Sequence, residues 1–385
     1  MKIGIDARFY GGEQSKGLGR YTQKLVEYLA EIDHENEYVI FLQKPQYDKW
    51  KIKNKNFKPF LADYHWYSYD EQIYMPHKIR KAKVDFMHFP HFNVPLFYRG
   101  KFVVTIHDLI ITHFPTQRAT TLAPWIYKMK QFAYQRVISH AAKDSTKIIT
   151  VSNYSKRDLE KTFKLSPEKI DVTYEASEPA TKIEYSQEEQ EHTLKDYNIA
   201  KPYLLYVGNA YPHKNLEILI DAFHKMKEQK KSELDIQLVL VGKKDYFYKR
   251  VEEKIWAKDM EDDIILTGFA PDKALPVLYK NSLAYIFPSK YEGFGLPPLE
   301  AMTYETPVLS SKSSCLPEIL GEAALYFDNN DVCGIINQVQ KIKTDQSLRQ
   351  DLIAKGRERL KSFSWQKMAR ETIKVYESIS TKKSN

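Results

Sequence analysis

Short runs of apolar, β-branched residues alternate with stretches of helical periodicity along almost the whole chain, and this alternation constrains the fold more than any other feature. Strands covered on both faces read as apolar runs, and a helix between successive strands returns the chain so that the next can pair in parallel. In the first half such runs fall at Lys2–Asp6, Tyr38–Leu42, Val84–Phe89, Phe102–His107, Ile148–Val151 and Asp171–Tyr174. Leu25, Leu29 and Ile32 lie at helical spacing and predict a helix over Tyr21–Ile32. The second half repeats the plan at Tyr203–Val207, Ile236–Val241, Ile264–Thr267, Ala284–Phe287, Pro307–Leu309 and Ala324–Phe327. The chain has 385 residues, more than twice a typical domain of ~150, so the prediction is an α/β protein of two Rossmann-like domains. Glu175–Ala200, which contains Pro179, reads as a linker and hinge with a short helix. After Asp331 the chain reads as helical, with Trp365, Met368, Ile373 and Tyr376 forming an apolar stripe. The expected division is 1–178, 179–364, and a helix and tail over 365–385.

Composition narrows the classes. Hydrophobic residues make up 43% and charged residues 28%, which excludes a disordered or collagenous chain. No window reaches the ~18 uninterrupted apolar residues of a spanning helix, and the first residues lack an apolar signal region, so a cytosolic protein is expected. Cys315 and Cys333 have neither metal-ligand nor redox-motif spacing and read as free thiols. The net charge of +8 is uneven: residues 1–180 carry 28 basic and 20 acidic groups, and residues 181–385 carry 30 of each. Within the second half, 351–385 hold 9 basic and 4 acidic groups, leaving 181–350 at 21 against 26.

The segment most informative about chemistry is Tyr285-Ile-Phe-Pro-Ser-Lys-Tyr-Glu292-Gly293-Phe294-Gly295-Leu296-Pro-Pro-Leu-Glu300. A strand gives way to a glycine-containing loop, and prolines mark the first turn of a new helix. Gly293 and Gly295 leave backbone N–H groups accessible, and the positive end of the helix points to the same place, so the segment makes an anion cradle. Glu292 and Glu300 flank it; a carboxylate accepts hydrogen bonds from two neighbouring sugar hydroxyls.

These residues resemble the E-x7-E signature of glycosyltransferase family 4, the retaining, nucleotide-sugar-dependent enzymes of GT-B fold. The resemblance covers nearly the whole chain. Gly4-Ile-Asp6-Ala-Arg8 followed by Lys16-Gly17-Leu-Gly19-Arg20-Tyr21 looks like the glycine-rich loop of the acceptor-side domain, most like mannosyltransferase members. Thr105-Ile-His107-Asp108 is similar to the family's His-Asp element. Gly208-Asn209 and Lys214 match the loop that meets the donor diphosphate, although Asn209 and His213 stand where relatives often carry arginine. Gly268-Phe269 resembles the loop near the donor base. Thr306-Pro307 matches the strand beneath the nucleotide, with Glu305 where a glycine is usual.

The resemblance implies two Rossmann-like domains facing a central cleft, with the C-terminal helix crossing back to the first. It implies His107, Lys214 and Glu292 as catalytic residues. Donor-binding residues would be Gly17, Gly19, Gly208, Asn209, Lys214, Gly268, Phe269, Glu292, Gly293, Phe294, Gly295, Leu296 and Glu300. The reaction is then retaining transfer from a nucleoside diphosphate sugar, first of all GDP-mannose, to a glycan or lipid-linked acceptor in cell-envelope polysaccharide or glycolipid synthesis. The co-substrate is the nucleotide sugar, with no other cofactor and no metal.

Four other readings are weighed against this one. The Gly17–Tyr21 segment fails as a dinucleotide fingerprint because Thr22 holds its last position and ~10 residues separate it from the strand, which disfavours NAD. A nucleic-acid binder would need a basic-aromatic element or a Cys/His finger, and neither occurs. A sugar-nucleotide epimerase or phosphorylase, or a non-catalytic sugar-nucleotide-binding protein, would share the architecture. Trp125–Arg136 mixes aromatic and basic residues on a predicted helix, either an ordinary packed helix or a peripheral contact with an anionic membrane surface at its inner face.

Overall fold

The computed structural model describes residues 1–11, 16–115, 124–178, 185–200, 202–229 and 235–380. The expected hinge around Pro179 falls partly in 179–184, and the polar tail lies in 381–385; both stretches are outside the described residues. Two compact units account for the chain. One comprises the described residues within Met1–Thr112, Thr121–Glu175 and Ser364–Asn385, the other those within His113–Thr120 and Ala176–Phe363.

The first unit holds a seven-stranded sheet of β1 (Lys2–Asp6), β2 (Glu37–Leu42), β3 (Phe57–Leu61), β4 (Phe86–Phe89), β5 (Phe102–Thr105), β6 (Lys147–Thr150) and β7 (Ile170–Val172), ordered β3-β2-β1-β4-β5-β6-β7. Every pairing is parallel. Its central strands are almost wholly buried, as their apolar runs require. β3 escapes the sequence reading because Pro59 lies inside it; the strand sits at the sheet edge, where a missing N–H is tolerated.

The second unit holds β8 (Tyr203–Val207), β9 (Gln237–Val241), β10 (Ile264–Gly268), β11 (Ala284–Phe287), β12 (Val308–Ser311) and β13 (Ala324–Phe327), all parallel, in the order β10-β9-β8-β11-β12-β13. Each sheet therefore reverses its strand order once, between β1 and β4 and between β8 and β11. Such a reversal opens a crevice at the carboxyl ends of the two strands, which is where doubly wound sheets bind ligands.

The C-terminal helix Trp365–Ser380 belongs to the first unit and packs on the helix Lys16–Ile32, bringing the Trp365 and Tyr21 rings to 6.5 Å. Tyr376, fully buried, lies with its hydroxyl 2.6 Å from Nδ1 of His88 on β4. The fold is thus two Rossmann-like sheets with a C-terminal helix docked on the first, as the GT-B resemblance implies.

The helix Leu296–Thr303 ends in a left-handed turn. Thr306 N–H donates to Ala301 O and Glu305 N–H to Met302 O, with Glu305 at φ +61° in the position glycine usually takes. Its carboxylate meets Arg357 at 2.8 Å on the surface, an exposed pair worth ~0–1 kcal/mol. A side chain in this conformation costs ~1–2 kcal/mol, partly offset by the greater chain entropy glycine loses on folding. Glu305→Gly is therefore expected to stabilise the second unit by up to about 1 kcal/mol, read as a rise in the chemical unfolding midpoint; an unchanged or lower midpoint would refute the strain.

Candidate active site

The crevice of the second unit is built from the loops that follow β8 and β11. After β8 the chain makes a 3-10 turn over Pro212–Lys214 and then takes a left-handed turn at Asn215, φ +59°, before the helix Leu216–Glu228. Asn215 amide N–H groups donate to Pro288 O at 3.3 Å and Asn329 O at 2.7 Å, tying this turn to the loops after β11 and β13. Lys290 N–H donates to His213 O at 2.7 Å, a second tie. The outcome is an ion pair across the reversal point: Lys214 Nζ lies 2.6 Å from Glu292 Oε1, with the side chains only 13% and 9% exposed. Lys214 Nζ also lies 5.3 Å from the centroid of the Phe287 ring.

Gly295 closes the loop at φ +94°, and a Cβ there would stand 2.8 Å from Leu316 Cδ2, so both conformation and space require glycine. Glu292 N–H donates to Ser314 Oγ at 3.0 Å, and the buried Cys315 thiol lies 3.3 Å from the carbonyls of both Glu292 and Phe294. Burial raises that thiol's pKa well above the ordinary range, so it serves as a neutral donor. Neither cysteine is in a disulfide.

Three glycines line the carboxyl ends of β8, β9 and β10. Gly242 N–H donates to Gly268 O at 3.0 Å, and a Cβ on Gly242 would come within 2.2 Å of Gly208 O. Beside Gly268 the Phe269 ring is 73% exposed, free of covering side chains and suited to stacking. His213 is buried, and burial first, then repulsion from Lys214, lowers its pKa to about 4. It is neutral at pH 7, so it does not replace an arginine as a second cation.

In the first unit His107 follows β5. Its Nδ1 lies 2.9 Å from Glu175 Oε1 and its Nε2 3.1 Å from Pro90 O. Both partners are acceptors, an arrangement that favours a proton on each nitrogen. Burial lowers its pKa, but the bond to and charge of Glu175, with smaller help from Pro90 O and Asp108, leave it above the ordinary 6.5. Tyr21 meets the ring edge-on, centroids 4.5 Å apart.

Sequence comparison decides the family. The model for glycosyl transferases group 1 matches residues 189–359, and that for glycosyltransferase family 4 matches residues 15–176. The O-antigen chain mannosyltransferase B of Escherichia coli is 30% identical over 319 residues, covering 82% of this chain and 75% of that protein. The chain belongs to glycosyltransferase family 4. The O-antigen chain mannosyltransferase RfbU of Salmonella typhimurium is 24% identical over 332 residues, covering 83% and 85% of the two chains. The crystal structure of Anabaena Alr3699/HepE in complex with UDP-glucose matches 98% of this chain and 99% of its own, at TM-score 0.70 and 14% identity, a likeness of fold.

In this retaining glycosyltransferase the second crevice gathers Lys214, Glu292, Gly293, Phe294 and Gly295, with Leu296 opening the helix Leu296–Thr303 and Glu300 half-buried further along it. Gly208, Asn209, Gly268 and Phe269 lie at neighbouring strand ends. Gly17 and Gly19, expected in a loop, stand instead in the first turn of a helix that begins at Lys16 rather than Tyr21. Glycine disfavours helix interiors, but a first turn leaves its N–H groups unpaired in any case. Sequence reasoning missed Glu175, Cys315 and Gly242. Gly242 ends the predicted strand Ile236–Val241 as Gly208 ends Tyr203–Val207, which was the available signal. Among the described residues no group of three or more His, Cys, Asp or Glu is placed to hold a metal ion, and no helix is long and apolar enough to cross a membrane.

His107 faces Glu175, Asp108, Tyr21, His88 and His91. Because its folded pKa lies above the unfolded value of ~6.5, its stabilising contribution is complete below that pH and is lost as pH rises through the folded pKa. Imidazole NMR should show His107 titrating above 6.5, and Glu175→Gln should lower its midpoint; an unmoved midpoint would show that Glu175 does not hold the proton.

Proposed function

We propose that the chain transfers mannose from GDP-mannose, with retention, to a hydroxyl of a glycan or lipid-linked acceptor in cell-envelope polysaccharide synthesis. The Lys214–Glu292 pair beside the Gly293–Gly295 amides carries this reading. In transfer the barrier lies in expelling the diphosphate while positive charge develops on the sugar ring, so a cation and amide dipoles aimed at the phosphates contribute most. Lys214 takes the diphosphate, Glu292 accepts sugar hydroxyls, Glu300 binds the ribose, and the departing phosphate receives the acceptor proton. Glu292 acts as an acceptor of hydroxyls rather than as a nucleophile. His107 is the catalytic residue assigned to the first unit. The mannosyl donor draws support from two relatives named O-antigen chain mannosyltransferases.

A thermal-shift panel of GDP-mannose, UDP-glucose and UDP-N-acetylglucosamine tests the donor. At 100 times its Kd the true donor stabilises by ~2.7 kcal/mol; a shift with a UDP-sugar alone would replace the mannosyl reading. Lys214→Met is expected to lower kcat by roughly 10²–10³. Glu292→Gln in the same chain removes the carboxylate left unpaired and separates lost catalysis from lost stability. Undiminished transfer by folded Lys214→Met would sink the assignment, and donor binding without turnover on any acceptor would favour a binding protein.

The acceptor side carries a further part of this proposal. On the helix Pro124–Asp144, Trp125, Met129 and Phe132 recur on one face and are each more than 60% exposed. Lys128, Lys130 and Arg136 accompany them, and no acidic residue occurs before Asp144. The Arg136 guanidinium lies 4.8 Å from the Phe132 ring centroid. Such a face suits peripheral contact with an anionic membrane at its cytoplasmic side. Co-sedimentation with phosphatidylglycerol vesicles, but not phosphatidylcholine vesicles, is expected, with loss in Lys128→Gln/Lys130→Gln. Equal sedimentation with both vesicles, or with neither, would remove the membrane from the proposal.

A further inference from the structure

The reversal point of the first sheet opens a second crevice, between the carboxyl ends of β1 and β4. Aromatic residues cluster beside it, with Phe9 buried beneath the others. Phe9, just after β1, stacks on Trp66 with centroids 4.5 Å apart and meets His91, just after β4, edge-on at 5.6 Å. Tyr67 stands at the rim, 59% exposed, with its hydroxyl 2.6 Å from His91 Nε2. His91 is neutral, its pKa lowered to about 3 by burial and by the charge of His107, so the tyrosine donates.

The rim is held in a strained conformation. Tyr67 has φ +62°, costly for a residue with a bulky side chain. Its N–H donates to Glu71 Oε2 at 2.8 Å, and Glu71, wholly buried, also receives Arg8 at 2.5 Å and Asn93 at 2.7 Å. Arg8 in turn binds both carboxylate oxygens of Asp6. A buried network of charged groups thus fixes one exposed aromatic ring in an unfavourable backbone state. Tyr67 does not fill the core, so packing does not account for the strain.

The chemistry of the walls selects the ligand class. Arg8 is buried and engaged by two carboxylates, and His91 is neutral, so no cation of this cluster is available to an anion. Aromatic faces with hydroxyl and imidazole groups at their edge suit a neutral ligand with an apolar face and a polar rim. A hexopyranose has that form. The crevice also adjoins His107, whose Nε2 bonds the carbonyl of Pro90, the residue before His91.

We propose that the crevice formed by Phe9, Trp66, Tyr67 and His91 is a subsite for a hexopyranose residue of the acceptor glycan, stacked by its C–H face on Tyr67. This rests on the glycosyl-transfer reading above and names the acceptor class for it: a neutral glycan end, recognised by stacking and not by charge.

Saturation-transfer NMR on the full chain with α-mannobiose, α-glucobiose and methyl α-D-galactoside tests it without donor. At least one saccharide should receive saturation at its ring C–H protons, and Tyr67→Ala should weaken its affinity about tenfold or more, whereas Tyr67→Phe, which keeps the ring, should stay within about threefold of wild type. Tyr67→Gly removes the ring and relieves the left-handed strain, so it keeps the fold while losing the saccharide. Retention of the GDP-mannose thermal shift in Tyr67→Gly separates this result from the donor reading, which can fail while saccharide binding stands. No saturation of any saccharide, equal binding by wild type and Tyr67→Gly, or loss of vesicle binding in Tyr67→Gly without loss of saccharide would each overturn the subsite.

Discussion

A lysine and a glutamate 2.6 Å apart, supplied by loops from two strands whose crossovers run in opposite directions, set the requirements that much of the second unit meets. Two mostly buried charges are stable only in good geometry with their surroundings satisfied. That explains why the loop after β8 needs a left-handed asparagine whose amide reaches the loop after β11. It also explains why Gly295 turns where no side chain fits, and why Ser314 and a neutral thiol bond to the backbone on either side of Glu292. None of these groups carries chemistry, yet each fixes the carboxylate against the ammonium.

The first unit uses the same strand-order reversal with different chemistry. There the buried arginine is already saturated by Asp6 and Glu71, and the crevice is lined by rings. A sheet of this topology offers a place for a ligand, and the residues just past the strand ends decide its charge. The positive excess of the first half is not in this crevice. Part of it lies on the helix Pro124–Asp144, whose Lys128 and Lys130 are exposed. The +8 charge therefore separates into a surface property and a crevice that is aromatic and uncharged at its rim.

What the sequence made legible follows from the range of the interactions involved. Strands and the glycine-bearing loop at Glu292 announce themselves locally, through apolar runs and through prolines in a first helical turn, and these lie close to where they were expected. β3 was hidden by Pro59, whose cost depends on an edge position that only the assembled sheet defines. Glu175 was hidden because its partner is 68 residues away, and Glu71 because Arg8 is 63 residues away. Glu305, set where the family resemblance leads one to expect glycine, was visible as a departure, and the structure supplies its physical content: a left-handed helix cap occupied by a residue that disfavours it.

That His213 is not a second cation beside Lys214 bears on how the proposed donor would be recognised. His213 is neutral, and the Lys214 ammonium that an arriving diphosphate would meet is already paired with Glu292. Binding then requires an exchange of partners: the phosphates take Lys214, and the carboxylate released turns its lone pairs to the sugar hydroxyls. The two halves of the donor become energetically coupled, because a nucleoside diphosphate without its sugar frees Glu292 from the lysine while giving it no hydroxyl to accept. A buried carboxylate left without a partner is costly, so under the proposed donor assignment the pair would discriminate in favour of the complete nucleotide sugar and against the product that remains after transfer. The same ion pair that stabilises the empty loop would thereby help to expel the spent nucleotide.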